Sequence, residues 1–365
     1  MGKKPISRKS LIINIFIMLA VTGLTIFYLS RYNFFSKIKE AEKFPIYGFF
    51  FLGIFMFITI LCDSFIIYRS FKIINPIKYK DAIGAYLYGN IGSYVTPGRA
   101  GHYPFMIYYY EKKGKSIDEI LNSTTQNQFL YSFVLVIVYG IIAIVANCNN
   151  YCVKLSSGIY ELKFFAIIGI LSNIAFSLIF VILAFCKPIN DIVIKICGYF
   201  AVKLKKFPSK EEYKAYQSIK MEACRKQIKY IVTHFYKMIP SMLAFIIFIF
   251  FSYGLPYWVY LFITKESFSF STFFLFLSLN QCLTYIANLV PTPGGTGVFS
   301  FTFLVVFQMV IPVEGTLNLC MLIWRFFSYY YLLIIDIIYF LISMAIDTNK
   351  GLHINKELLE KEKKN

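Results

Sequence analysis

The six-residue string Thr-Pro-Gly-x-x-Gly occurs twice in this chain, and each copy interrupts a long apolar stretch. The copies are residues 96–101 and 292–297. Proline and glycine at these spacings do not continue an α-helix, and a bilayer tolerates broken backbone only where protein buries it or where it lines a cavity. A matched pair of interrupted segments, one in each half, is typical of a transporter's substrate site. The strings therefore predict a membrane transporter and the place where it holds its substrate.

Composition agrees with a membrane location for the whole chain. Of its 365 residues 58% are hydrophobic, and the mean hydropathy is +0.62, whereas soluble domains are about 45–50% apolar. The formal net charge of +18 comes from lysine and arginine concentrated beside apolar runs, which is the positive-inside pattern. The sequence contains no nucleic-acid-binding motif. We expect membrane lipids as partners, and no nucleic acid, cofactor or metal ion.

Hydropathy and charge predict an all-α polytopic membrane protein with six full spans and two broken re-entrant hairpins. The spans cover approximately residues 11–30, 46–68, 121–147, 164–186, 237–262 and 317–345. The broken stretches are 82–110 and 268–312, and each has flanks of the same character at both ends. We therefore expect each stretch to enter the membrane and turn back. The alternative is that they are kinked ordinary spans, which gives eight.

These elements form an inverted repeat within one transmembrane domain, residues 1–347. The halves 11–147 and 237–345 repeat the order span, broken hairpin, span, with the first hairpin entering from the inside and the second from the outside. Basic flanks place both termini in the cytoplasm. A basic loop, 187–235, is predicted to lie on the cytoplasmic surface against anionic lipids. The charged tail, 348–365, is also predicted to be cytoplasmic.

Each string is predicted to begin a half-helix inside the membrane, because threonine is a good N-cap and proline a good first helical residue. The unpaired N–H groups of such a helix end bind anions, and phosphate above all. The glycines allow the backbone to approach a ligand closely. Arg99 and His102 add positive charge or donors to the first copy, whereas Thr292 and Thr296 add hydroxyls to the second.

Charges inside spans are costly and indicate function. Arg325 and Asp336 of the last span share nearly the same helix face, roughly 16 Å apart along the axis, and are predicted to line one pathway. Asp63 is interpreted as a residue that reaches the membrane surface, and interhelical hydrogen bonding is the alternative for Asn288. No catalytic residue is predicted. The predicted substrate-binding residues are Thr96, Pro97, Gly98, Arg99, Gly101, His102, Asn288, Thr292, Pro293, Gly294, Gly295, Thr296, Gly297, Arg325 and Asp336.

At two segments the chain resembles the lysylphosphatidylglycerol synthase transmembrane family, the flippase-like domain of the multiple peptide resistance factor. They are Thr96-Pro-Gly-Arg-Ala-Gly-His-Tyr-Pro-Phe-Met-Ile-Tyr-Tyr-Tyr110 and Pro291-Thr-Pro-Gly-Gly-Thr-Gly-Val298, the latter followed by an arginine in the next span, Arg325. The chain departs from the family at His102, where the family has glycine, and at Ser300, where it has an acidic residue. Full-length synthases carry a soluble aminoacyltransferase domain, and we expect this chain to be the lipid-translocating half without it.

The resemblance implies a bacterial flippase for an anionic or aminoacylated phospholipid, such as lysylphosphatidylglycerol, or for a polyprenyl-phosphate lipid. It also implies a link to resistance against cationic antimicrobial peptides. No ATP-binding loop occurs, so an ion gradient or the lipid gradient would supply the energy. One alternative is phosphatidylglycerol lysyltransferase activity, as the family name implies, although the sequence displays no nucleophile–base pair. A second is a transporter of small anions. The oligomeric state stays open, a homo-oligomer included.

Overall fold

The computed structural model describes residues 44–74, 76–96, 101–115, 117–149, 152–155, 158–161, 186–203, 209–288 and 297–343, with isolated positions between 167 and 182 and residue 346. The predicted first span, 11–30, and the tail, 348–365, lie outside the described residues. Of the predicted span 164–186, only scattered helical positions and Cys186 are described.

The first long helix, α1, runs from Ile46 to Ile74 and matches the span predicted at 46–68. Its apolar composition extends over 27 residues, Ile46–Lys72, which is long enough to cross a bilayer. Pro76 follows the end of α1, and a proline disfavours a helical conformation of the residue before it. Helix α1 lies at the centre of the described part of the molecule, where it contacts helices from both halves.

The first interrupted stretch forms an antiparallel pair, α2 (Tyr79–Val95) and α3 (His102–Lys112). Its two ends lie side by side, because Lys113 Nζ is 3.6 Å from Asp81 Oδ1. Lys115 Nζ also donates to the carbonyl of Pro76, at 3.2 Å. The stretch therefore folds back on itself, as the hairpin prediction requires, and does not continue in one direction.

Helix α4, Ile117–Asn149, contains the span predicted at 121–147. A short antiparallel ribbon follows, β1 (Cys152–Leu155) paired with β2 (Gly158–Glu161). The segment predicted as a basic loop contains two helices packed together, α5 (Lys187–Lys203) and α6 (Lys210–Thr233). Lysine and glutamate are good helix formers. The side chain of Ser209 caps α6 by accepting the N–H of Glu212 at 3.1 Å. Charge alone therefore does not make this segment a loop.

The span predicted at 237–262 is not one continuous helix. A 3₁₀ turn (Phe235–Met238), helix α7 (Ile239–Phe248) and a π-helical turn (Ile249–Tyr253) come first. The chain is interrupted at Gly254 and resumes as α8, Leu255–Thr264. Hydropathy does not detect this break, because the residues on both sides are apolar and Pro256 is acceptable in the first turn of a helix.

The second interrupted stretch forms α9 (Phe270–Asn288) and α10 (Val298–Phe307). The rings of Phe276 and Phe307 are 5.3 Å apart, so this pair also folds back. The last long helix, α11, runs from Glu314 to Arg325, continues through a π-helical turn (Phe326–Tyr331) and is described as far as Ser343. A hairpin between long helical segments therefore occurs twice, with the short helix α8 added before the second hairpin. The opposite orientation of the two halves in a membrane stays a prediction.

The all-α polytopic class is confirmed, with the ribbon β1–β2 as a small addition. Within the described residues, three helical segments are long and apolar enough to cross a membrane: Ile46–Lys72, Phe235–Tyr253 and Glu314–Ser343. The core is rich in aromatic rings from both halves. Large apolar side chains also cover the outside, as a surface facing lipid requires; among them are Ile46, Phe50, Leu243, Phe301 and Leu341.

Candidate functional site

One threonine closes the tip of the first hairpin. The Thr96 hydroxyl donates to the carbonyl of Gly92 at 2.7 Å and accepts the N–H of Gly101 at 2.7 Å. Thr96 ends α2, whereas Gly101 is the N-cap of α3. The prediction that Thr96 caps a helix starting at Pro97 is therefore wrong. The close approach of Gly92 to Gly101 moves the start of the half-helix to the far end of the string.

The second string has the same relation to its half-helix. Gly297 is the N-cap of α10 and has φ 79°, a conformation that favours glycine. The final glycine of each string thus precedes a half-helix. The first intrahelical bonds run from Phe105 N to Gly101 O at 3.1 Å and from Phe301 N to Gly297 O at 2.9 Å. Earlier N–H groups of a helix are available to an anion.

Both hairpin tips reach one cavity of about 560 Å³, within the range of about 300–1,000 Å³ found for ligand sites. The first hairpin contributes Ser93, Tyr94, His102 and Tyr103, the second contributes Asn280, Thr284 and Phe299, and α11 contributes Trp324, Arg325, Ser328 and Tyr329. The interrupted segments that sequence analysis singled out are therefore brought together, although they are almost 200 residues apart in the chain.

Arg325 lies where the two tips meet. Its side chain is only 7% exposed and lines the cavity. The guanidinium lies 5.5 Å from the ring centre of Phe299, at the start of α10, and 4.3 Å from that of Tyr329. Tyr329 in turn contacts Tyr94 of the first hairpin edge-on, with ring centres 4.8 Å apart. These cation–π contacts orient the guanidinium.

His102 is the first residue of α3 and also lines the cavity. Its Nδ1 is 3.1 Å from the Ser93 hydroxyl, which also donates to the carbonyl of Gly89 at 3.2 Å. Gly89 makes room for the imidazole, since a Cβ there would lie 2.8 Å from the ring. The structure therefore holds the side chain of His102, which directly follows the string, against α2.

Amides and hydroxyls form another part of the wall. Three lining residues each have an atom without a hydrogen-bond partner among the described residues: Asn127 Oδ1, Asn280 Oδ1 and Ser328 Oγ. Buried polar atoms are normally bonded, so this wall is suited to a polar ligand. The Nδ2 of Asn280 donates to the carbonyl of Tyr253 at 3.0 Å, because the break at Gly254 frees that carbonyl from its helical bond.

Sequence reasoning missed Asp63 as a site residue. Asp63 does not reach past the protein surface but lines the cavity, where it faces the Tyr86 hydroxyl. Asn90, which faces Tyr86, lines the cavity as well. The available signal was the same as for Arg325, a charge within a predicted span, and it was discounted because Asp63 is near one end of that span.

Asp336 is not one of the residues of the cavity wall. It is 0% exposed and faces Asn90, while Arg325 faces the cavity. A π-helical turn, Phe326–Tyr331, separates the two charges, so the 100° per residue of a regular α-helix no longer relates their directions. A common pathway for both residues stays a prediction.

Several predicted site residues lie outside the described residues. They are Pro97, Gly98, Arg99, Thr292, Pro293, Gly294, Gly295 and Thr296. Asn288 is described only as the last residue of α9. Their roles in binding stay predictions.

Comparison with protein families adds one finding. The model of the family described as "Lysylphosphatidylglycerol synthase TM region" matches residues 11–335, most of the chain. The matched range includes both hairpins and Arg325. No curated protein matches the chain.

Proposed function

We propose, from the premise that the chain belongs to the lysylphosphatidylglycerol synthase transmembrane family, that it moves an anionic lipid between the two leaflets of a membrane. The family and the membrane-spanning helices indicate a membrane protein that acts on lipids. The finer proposal is a translocase for an anionic or aminoacylated phospholipid, such as lysylphosphatidylglycerol, or for a polyprenyl-phosphate lipid.

The position of Arg325 is the observation that carries this proposal. A guanidinium at 7% exposure in an apolar bundle is costly. It is kept there by aromatic contacts from α10 and α11, at the meeting point of two half-helix starts. Arginine binds phosphate with two parallel, charge-assisted hydrogen bonds. The phosphate of a lipid headgroup therefore suits this end of the cavity.

The mixed character of the wall favours a lipid over a small soluble anion. Apolar lining residues lie beside the polar ones, among them Met56, Ile66, Phe248 and Leu332. Tyr103 lines the cavity and is also 43% exposed. The wall thus continues to the outside of the bundle beside α3. We propose that the headgroup enters here while its acyl chains remain in the bilayer.

The Ser93–His102 pair bears on the transferase alternative, because a hydroxyl beside an imidazole is the arrangement of an activated nucleophile. The Ser93 hydroxyl, however, has the carbonyl of Gly89 one helical turn earlier as its acceptor, at 3.2 Å, as serines within helices commonly do. The contact is then an imidazole N–H donating to serine. We therefore favour translocation, and the Nε2 of His102 donates to the headgroup when the imidazole is protonated.

The test is translocation by the purified full chain in proteoliposomes, measured with fluorescent phosphatidylglycerol and a membrane-impermeant quencher. Loss of a charge-assisted bond costs about 1.5–3 kcal/mol, so Arg325→Ala is expected to slow translocation by about tenfold or more. Arg225→Ala, on α6 and away from the cavity wall, is the matched control and is expected to resemble the wild type. Equal rates for all three proteins would remove Arg325 from the proposal.

The proposal extends to the setting of the protein. It is a bacterial, multi-pass cell-membrane protein with both termini in the cytoplasm, and lipid transfer to the outer leaflet makes the cell less sensitive to cationic antimicrobial peptides. Deletion of the gene is expected to increase killing by a cationic peptide, and a plasmid copy is expected to restore survival. A plasmid copy that carries Arg325→Ala is not expected to restore survival.

A further inference from the structure

A buried carboxylate lies behind the wall of the cavity, and no described side chain pairs with it. Asp336 is 0% exposed, and neither of its carboxylate oxygens has a hydrogen-bond partner among the described residues. Buried carboxylates are normally paired or hydrogen-bonded, because an isolated charge is very costly in an apolar medium. The lipid-translocating role described above gives Asp336 no function.

A row of polar side chains connects Asp336 with the cavity. Asp63 of α1 and Tyr86 of α2 both line the cavity, and their polar groups face each other. Asn90, one helical turn after Tyr86, also lines the cavity and faces Asp336. The row thus joins α1, α2 and α11, which belong to both halves of the chain.

Around Asp336, the titratable group that faces it from α2 is Tyr86, and Asp63 of α1 lies beyond Tyr86. Tyr94 of α2 also faces Tyr86. In the part of the chain that the structure describes, no lysine or arginine bonds to the Asp336 carboxylate. An ionised Asp336 would therefore have no cationic side chain beside it among the described residues.

We propose that Asp336 is a proton-binding site that couples lipid movement to a proton gradient. A proton from the cavity reaches the Asp336 carboxylate by way of Asp63 and Tyr86 as their side chains move into contact, and it leaves by the same residues. Asn90 orients the acceptor. Calcium and magnesium ions take about six or more oxygen ligands, whereas the described side chains found to face Asp336 are Asn90 and Tyr86. A proton needs only one oxygen.

Infrared spectroscopy of the purified full chain tests proton binding without any transport. We expect a protonated-carboxyl band at neutral pH in the wild type, and its loss in Asp336→Asn. Asp191→Asn, which changes an exposed carboxylate on α5, is expected to keep the band. Tyr86→Phe should shift the frequency of the band, because the Tyr86 hydroxyl is a neighbour of the Asp336 carboxyl group. A spectrum without the band, or one that Asp336→Asn leaves unchanged, overturns the site.

The coupling itself rests on the proposed function and is measured in proteoliposomes containing fluorescent phosphatidylglycerol. A gradient of one pH unit is expected to change the steady-state leaflet ratio by up to about tenfold if one proton moves with each lipid. Asp336→Asn should lose this response, and Asp191→Asn should keep it. A response to sodium in place of protons contradicts the proposal. Absence of any lipid movement contradicts the proposed function, while the infrared band still decides the proton site.

Discussion

At the scale of single residues, the first hairpin depends on two glycines and one hydroxyl. A Cβ on Gly92 would overlap the carbonyl oxygen of Gly101, and a Cβ on Gly101 would overlap that of Gly92. Thr96 bonds to the backbone of both. The absence of a Cβ at both glycines therefore allows α2 and α3 to approach closely, and the Thr96 hydroxyl holds the turn between them. His102, at the start of α3, is thereby placed at the cavity.

Gly92→Ala is expected to destabilise the protein, because its methyl group meets a backbone oxygen that has no room to move. Gly140→Ala on α4 is the matched control, since no atom lies within 4 Å of a Cβ there among the described residues. In a helix this control substitution stabilises by about 0.5–1 kcal/mol. Thermal unfolding in detergent, followed by size-exclusion chromatography, measures both. Equal midpoints would contradict the close contact.

Thr96→Val keeps the shape of the side chain but removes both hydrogen bonds of the hydroxyl. The N–H of Gly101 is then left without its acceptor, which costs about 1–3 kcal/mol. Thr264→Val, which removes a single bond to the carbonyl of Tyr260 at the end of α8, is expected to cost much less. The same thermal assay compares the two variants. A larger loss of stability in Thr264→Val than in Thr96→Val would contradict the role given to the Thr96 hydroxyl.

Two of the residues predicted from the sequence line the cavity, and their roles in binding stay predictions. Arg325 and His102 were selected as charge or donors inside apolar segments, and both line the cavity. Asp63 carried the same signal, but its nearness to a span end was given more weight. The role of Thr96 was assigned from local preference alone. The capping preference of a single residue does not reveal the contact between Gly92 and Gly101, which are nine residues apart.

At the scale of elements, the sequence predicted both hairpins, because proline and glycine act on the backbone itself. It did not predict the break at Gly254 or the two π-helical turns, Ile249–Tyr253 and Phe326–Tyr331. The residues before and after each of these features are apolar. Their hydropathy therefore does not change at the break or at the turns and gives no sign of them. At the Gly254 break a tertiary contact takes part, because Asn280 supplies the bond that the Tyr253 carbonyl loses in its own helix.

The hairpin topology is testable by labelling introduced cysteines in intact cells, with the native cysteines distinguished by peptide mass spectrometry. Lys80→Cys and Lys115→Cys are expected to react from the same side of the membrane, since Lys113 and Asp81 form an ion pair at 3.6 Å. Glu266→Cys, between α8 and α9, is the reference for the other side. Reaction of positions 80 and 115 from opposite sides would restore the eight-span topology.

At the scale of the whole molecule, two hairpins far apart in the chain share one cavity with the long helices α1 and α11. The hairpins α2–α3 and α9–α10 both end at this cavity, and α11 connects them through Arg325 and Tyr329. The order of elements predicted this arrangement, whereas the side chains of the wall come from segments too far apart in the chain for spacing to relate them.

Filling the cavity is expected to stop transport without unfolding the protein. Thr284 lines the cavity on α9, and Thr284→Trp would place a large ring in the enclosed space. Val305→Trp is the control, because Val305 is 53% exposed on α10. Translocation of fluorescent phosphatidylglycerol should fall at least tenfold in the first variant only, on the scale of a lost ligand contact of about 1.4 kcal/mol. Similar rates in both variants would place the lipid path elsewhere.

The convergence of both hairpin tips on a headgroup is tested most directly by electron cryomicroscopy of the protein in nanodiscs containing phosphatidylglycerol. Phosphate density is expected between the starts of α3 and α10, within hydrogen-bond distance of Arg325, and it is expected to be lost in Arg325→Ala. Hairpin tips that lie apart, or a headgroup bound away from Arg325, would show that the two tips do not form the headgroup site.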